Sequence, residues 1–196
     1  MSTSFAKSET LLEVALAPLD LVRQVGLVIG FSLLTALAAQ IVIPIGPVPI
    51  TGQTFAVLLT GALLGSRLGA MAMITYLLEG AFGLPFFAGG HFGLVHLMGP
   101  TGGYLIAFPA AAFVTGAFTE QGWDRRFLSS AAAMFIGSVV IIVCGCAWFA
   151  LLTRSNLSAA FGLSVAPFIP GDIAKILLAA AVLPSGWKLL ARGKED

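Results

Sequence analysis

The sequence predicts an all-helical integral membrane protein, a bundle of six transmembrane helices with both termini in the cytoplasm. Three observations predict it. Apolar residues make up 58% of the 196-residue chain and charged residues only 10%, where a soluble globular chain is about 25% charged. The mean hydropathy is +1.00. The apolar residues also gather into long runs, and a helix needs about 20 of them to cross the hydrocarbon core. Ten basic and nine acidic side chains cannot clothe a globule of this size in water. The balance of +1 gives no footprint for a nucleic-acid backbone.

Residues 1–20 read as a cytosolic segment. Lys7, Glu9, Glu13 and Asp20 are scattered through it, whereas a signal peptide has a basic start and then a short apolar core. The membrane domain is expected over residues 21–190, with a cytosolic tail at 191–196. Its first span fits Val22 to Ile43 and stops at Pro44, where the run IPIGPVPITG carries three prolines that no helix interior tolerates. Thr54 to Leu78 is apolar but broken by Gly65-Ser66-Arg67. Leu105 to Phe118, Phe127 to Leu152 and Ile173 to Leu190 complete the set.

The broken stretch reads as one long span or as a hairpin of two short ones, and the bias of basic residues toward the cytoplasm decides. With the hairpin, Lys7, Arg23, Arg67, Arg125, Arg126, Lys188, Arg192 and Lys194 lie inside and Arg154 alone outside. With one long helix the balance becomes three inside to five outside. Arg67 is then stranded in mid-membrane, at a cost of at least about 2.5 kcal/mol. Six spans follow. They put 44–53, 79–102 and 153–170 on the outer side, so irregular backbone collects on one face. Cys144 and Cys146 stand about 200° apart on a helix and read as small packing residues.

Four groups of residues are candidates for chemistry. The segment GAFGLPFFAGGHFGLVHLMGPTGGYL at 80–105 holds eight glycines and is largely apolar. Irregular backbone at membrane depth is either packed in protein or lines a cavity, so this segment is a plug or a ligand wall. Gly89, Gly90, Gly102 and Gly103 allow a ligand close to the main chain, and the helix that follows offers N–H groups to an anion. His91 and His96 lack any metal-ligand spacing and are expected to bond locally. In PFIPGDIAK at 167–175, Asp172 and Lys175 share one helix face. They either pair with each other or anchor a ligand, the carboxylate accepting N–H bonds and the ammonium donating. Thr51, Gln53 and Thr54 either cap a helix or offer neutral polar groups at the outer mouth. On the first span, Ser32, Ala36 and Gln40 recur at four-residue spacing beside Thr35 and Ala39. Such small residues bring helices close in membranes, within the bundle or against a partner. No GxSxG, Walker A or nucleophile–base pattern occurs, so no enzyme activity and no metal site is expected.

Together, PVPITGQTFAVLLTGALLG at 47–65, YLLEGAFGLPFFAGG at 76–90, GPTGGYLIAF at 99–108 and PFIPGDIAK at 167–175 resemble the BioY family, the biotin-specific S components of energy-coupling-factor (ECF) vitamin transporters. The resemblance implies a six-helix bundle in the cell (inner) membrane that captures biotin from outside. It implies work with a membrane coupling subunit and two ATPase subunits, with biotin as cargo and no cofactor. It places Asp172 and Lys175 on the ligand. The thiophane ring and acyl chain of the ligand are expected against Phe87, Tyr104 and the glycine loop with Gly89 and Gly90, and polar contacts at Thr51, Gln53 and Thr101. It also implies partner docking through the small-residue face of Ser32, Thr35, Ala36, Ala39 and Gln40. Two alternatives stay open: an S component for another small vitamin, and an autonomous secondary carrier.

Overall fold

The computed structural model describes residues 10–16 and 20–192. Most of the expected cytosolic segment 1–20, the end of the tail 191–196 and the charges Lys7 and Lys194 therefore lie outside the described residues.

A short helix α1 (Leu11–Leu16) opens the chain. Thr10 and Glu13 cap it reciprocally, each side chain accepting the other's backbone N–H at 3.4 and 2.8 Å, which satisfies two N–H groups that the helix cannot. Helix α2 (Leu21–Ala38) starts on Asp20, whose carboxylate accepts the Arg23 N–H. It ends five residues before the expected Ile43. There the β-branched run Ile41-Val42-Ile43 meets Pro44, and a residue before proline is pushed out of helical geometry. Val42–Ile43 instead forms strand β1, which pairs antiparallel with β2 (Ile50–Thr51).

Helix α3 (Gln53–Ala81) is broken at Gly65, whose φ of 80° and ψ of −179° leave helical space. Only glycine occupies that region without strain. Beyond it the chain doubles back: a Cβ built on Gly69 would lie 2.9 Å from the Cα of Gly61, whereas eight residues of straight helix span about 12 Å. Glu120 secures the reversal by accepting from both the backbone N–H and the hydroxyl of Ser66, at 2.8 and 2.9 Å. Helices α4 (Leu94–Leu97), α5 (Gly102–Thr119), α6 (Phe127–Thr153), α7 (Leu157–Ser164) and α8 (Ile169–Arg192) follow. Among the described residues, five stretches are long and apolar enough to cross a membrane: 21–38, 53–81, 102–119, 127–153 and 157–189. The doubled-back helix is one of them.

The core sits where α3 and α5 meet, around the fully buried Tyr76, Phe87, Phe108 and Met73. Two ends are distinct. At the turn end, Glu120 meets Ser66, and the Trp187 indole donates to Asp124 at 2.6 Å. Arg67, Arg125, Arg126 and Lys188 neighbour these contacts. At the loop end, the segments around residues 51, 99 and 164 converge on α8, α6 and α5.

One expected surface is turned around. Ser32, Thr35 and Ala39 are completely buried and Ala36 nearly so. Thr35 faces Met73 of α3, and the Gln40 amide donates to the carbonyls of Ala36 and Phe87. Ser32, Thr35, Ala36 and Ala39 close α2 onto its own bundle, whereas Gln40 stands exposed at the edge of this face. The exposed face, about a third of a turn away, carries Val22, Gly26, Gly30, Leu33 and Leu37.

Candidate ligand-binding site

Pro170 and Gly171 open α8, so Asp172 falls in its first turn, where the helix dipole favours a negative charge. Asp172 is only 9% exposed. Lys175, one turn on, donates to Asp172 Oδ1 at 3.3 Å, to the Thr51 carbonyl at 2.8 Å and to Thr54 Oγ1 at 2.9 Å. All three ammonium hydrogens are thereby used, and the ion pair is tied to the start of α3. The second oxygen, Oδ2, has a single long contact of 3.5 Å with the Ser138 hydroxyl. A charged acceptor thus stands at the wall of a cavity with capacity to spare.

That cavity is lined by apolar groups, chiefly Val48, Leu105, Phe108, Ile141, Ile142 and Phe168, and by a few polar ones: Thr51, Gln53, Thr54, His96, Thr101 and Tyr104 beside the ion pair. The enclosed part of this cavity is small, about 50 Å³, and it opens to solvent at its mouth. Mostly apolar walls with a few convergent polar groups suit a compact organic ligand rather than an ion.

The polar residues differ in how free they are. Thr51 accepts the Gln53 N–H at the start of α3, and its hydroxyl donates to Gln53 Oε1 at 2.9 Å. The Gln53 amide donates to the Tyr76 hydroxyl, which donates to the Phe86 carbonyl at 3.0 Å. Thr51, one residue before the N-cap Gly52, thus bonds the first N–H of α3 and also lines the cavity. Tyr104 spends its hydroxyl on Ser164, at 2.6 Å to the carbonyl and 2.9 Å to Oγ, which leaves its ring as the cavity wall.

The Gly-Pro-Thr-Gly-Gly turn is explained by close approach. A Cβ at Gly102 would strike the Leu97 carbonyl, and one at Gly103 the Trp148 ring. The Trp148 indole donates to the Gly99 carbonyl at 3.0 Å. The start of α5 does not offer the N–H groups expected for an anion, because those of Gly102, Tyr104 and Leu105 are engaged with Gly99 and Thr101.

The comparisons with known proteins agree with one another. The signature of the BioY family matches residues 6–192. The chain belongs to the BioY family. A probable biotin transporter BioY of Pyrococcus horikoshii is 42% identical over 160 residues, 82% of this chain and 93% of that protein. The biotin transporter BioY of Rhizobium etli is 38% identical over 164 residues, 75% and 87% of the two chains. The structure is also similar to the 2.1 Å crystal structure of the S-component for biotin from an ECF-type ABC transporter. There the TM-score is 0.75 at 28% identity, over 85% of this chain and 92% of that one.

Within this BioY chain, the structure brings together six of the residues singled out in the sequence: Asp172, Lys175, Tyr104, Thr101, Gln53 and Thr51 all line one cavity. Phe87, Gly89 and Gly90 are not among the lining residues. The Phe87 ring is fully buried, edge-on to Tyr76 at 5.8 Å, and its apolar bulk serves the core. Gly89 and Gly90 have φ of 68° and 76° and turn the chain behind Ala88, which does line the cavity. The histidines bond locally, His91 Nδ1 to the Ala88 carbonyl at 2.6 Å and His96 Nε2 to Thr101 Oγ1 at 3.3 Å. Thr54, offered by the sequence as a polar group of the outer mouth, also lines the cavity, whereas Ser138 and His96 were not placed in the site. Ser138 had a signal, as the one hydroxyl in the apolar run AAAMFIGSVVIIV.

Proposed function

We propose that this chain captures biotin in the membrane and is the substrate-binding subunit of an ECF-type uptake transporter. The observation that carries the reading is Asp172, a buried carboxylate with an under-used oxygen, in an apolar cavity of a BioY chain. A ureido ring presents two N–H donors and one carbonyl. Asp172 Oδ2 suits a donor, and Lys175 suits the carbonyl once it releases one of its three acceptors. The ring of Tyr104 with Phe108 and Phe168 suits the apolar body of the ligand. Purified chain titrated with biotin by calorimetry, with riboflavin and thiamine as controls, is expected to bind biotin one-to-one without ATP. Preference for either control would move the reading to an S component for another vitamin.

The same reading takes six spans with both termini cytoplasmic, in the cell (inner) membrane. Its supports are the reversal at Gly65 and the collection of Arg67, Arg125, Arg126 and Lys188 at the turn end, with Arg154 beyond the other end of α6. Energy would come from a coupling membrane subunit and two ATPase subunits. The face of α2 suited to that docking is the exposed one, where a Cβ at Gly26 or Gly30 would meet nothing within 4 Å and a partner helix can come close. Gly30→Leu is expected to lower uptake in cells carrying the whole transporter while leaving biotin binding by the purified chain unchanged. Unchanged uptake would remove this face from the assembly.

A further inference from the structure

The cavity has a second polar group of residues that the proposed ureido contacts leave unused. His96 lies in α4 and Thr101 at the start of α5, and both line the same cavity as Asp172. From Thr101 the wall continues along α5 through Tyr104 and Leu105 to Phe108, seven residues or about 10 Å of helix axis. The His96 ring is held rigidly. It stacks on Phe87 at 5.4 Å and 18°, and on His91 at 5.0 Å and 17°. Thr101 Oγ1 faces its Nε2. A ring fixed this firmly in a binding wall can discriminate, because its hydrogen-bonding edge cannot turn away.

Resting on the biotin reading above, we propose that His96 and Thr101 form the second pole of the site and recognise the carboxylate at the far end of the ligand. The Thr101 hydroxyl donates to one carboxylate oxygen and the imidazole to the other. Burial, and then the neighbouring His91, hold the free His96 imidazole below the usual histidine range, so it is neutral near pH 7. An anion arriving beside it favours the charged ring, and binding draws in a proton. Affinity for the acid therefore rises as pH falls through the His96 pKa of the complex, and it levels off below that of the free protein.

Other titratable groups face His96. His91 is in the stack, and Asp172, Lys175 and Tyr104 stand across the cavity. Tyr76 and Glu79 lie at the end of α3, which packs against α4. Asp172 and Lys175 are paired, and the hydroxyls of Tyr104 and Tyr76 are committed to Ser164 and Phe86. Glu79 Oε2 is buried without a partner among the described residues. Any of these groups can respond to the charge of the ligand, so the acid–amide comparison detects a coupled proton and the His96 variant assigns it.

The test is calorimetry with biotin and its primary amide between pH 8 and pH 6, on the wild type and on His96→Gln. For the wild type, biotin is expected to gain about three- to fivefold in affinity over that range for a full-unit shift of the bound histidine, the whole tenfold being reached only below the pKa of the free protein. The amide should change less than about twofold by the same relation. His96→Gln should flatten the biotin profile, and a cooperative thermal unfolding transition in detergent at the wild-type temperature establishes that the variant is folded. Parallel profiles for acid and amide in the wild type overturn the second pole and leave biotin capture standing. A surviving difference in folded His96→Gln assigns the proton to another group and overturns it as well. If neither compound binds the wild type, the capture reading falls and the second pole with it.

Discussion

The bundle buries a carboxylate near each end, and the two are treated differently. Asp172 opens α8 and Trp187 lies fifteen residues on, about 22 Å along the helix axis, where its indole donates to Asp124. Asp124 is fully buried, its Oδ1 has no partner among the described residues, and a cation stands over its indole partner, with Arg125 at 5.0 Å from the Trp187 ring. Burial pushes its carboxyl above the ordinary range, against the pull of the Trp187 hydrogen bond and Arg125. Asp172 has a cation in direct contact, a helix start beneath it and a cavity in front of it. Buried acid is costly in both places. What separates the two here is the free space beside Asp172 and the ammonium of Lys175 at 3.3 Å from it.

Breaking the loop-end pair should produce the largest effect. Asp172→Ala removes the charged acceptor, and hydrogen bonds to charged groups contribute about 1.5–3 kcal/mol each. Biotin affinity is therefore expected to fall about ten- to a hundredfold, the range for one such bond. Lys175 keeps Thr51 and Thr54 as partners, so the fold should survive. Near-normal binding in the calorimeter would remove Asp172 from the site.

The turn-end pair should respond in the opposite sense. Trp187→Phe leaves the Asp124 oxygen without its donor, a loss of about 1–3 kcal/mol in stability for a buried group, while biotin affinity stays at the wild-type value. Thermal unfolding in detergent reads the first, calorimetry the second. The pH dependence has a definite sign. An acid whose pKa is raised in the folded state binds protons more readily there, so the fold gains stability as pH falls through that raised value. Asp124→Asn should flatten this part of the profile. A hundredfold change in binding from either variant would end the distinction between the two ends.

How much of this was legible in the sequence follows from the chemistry of each residue. Charges in an apolar chain are costly, so Asp172, Lys175 and the turn at Gly65-Ser66-Arg67 stood out. Small residues announce close approach but not the partner, which is why the face of Ser32, Thr35, Ala36 and Ala39 was assigned outward when it packs on α3. Aromatic rings in a membrane protein are apolar wherever they point. Phe87 in the core and Phe168 in the cavity wall are therefore indistinguishable by type. His96 was set aside because its spacing excludes a metal, and spacing says nothing about a stack with Phe87.

The smallest expected effect sharpens the comparison within the site itself. Tyr104 belongs to the cavity by its ring and to the scaffold by its hydroxyl. Gly145 makes room for the ring, since a Cβ there would strike it, and Phe168 lies 6.4 Å away at a tilt. The hydroxyl ties α5 to the end of α7 through Ser164. Tyr104→Phe keeps the apolar wall and deletes only that tie, a net loss of about 0.5–1.5 kcal/mol for a typical bond. If the ring alone meets the ligand, the loss appears as a modest drop in thermal stability, and biotin affinity falls no more than about threefold, under 1 kcal/mol. If the hydroxyl leaves Ser164 to bind the ligand, the two readouts exchange. Stability then holds, and affinity drops about tenfold or more, as a lost hydrogen bond of at least about 1.4 kcal/mol requires. The ratio of the two effects therefore reports whether Tyr104 behaves as proposed for Asp172, with a polar atom given to the ligand, or as Asp124, with its polar atoms given to the fold.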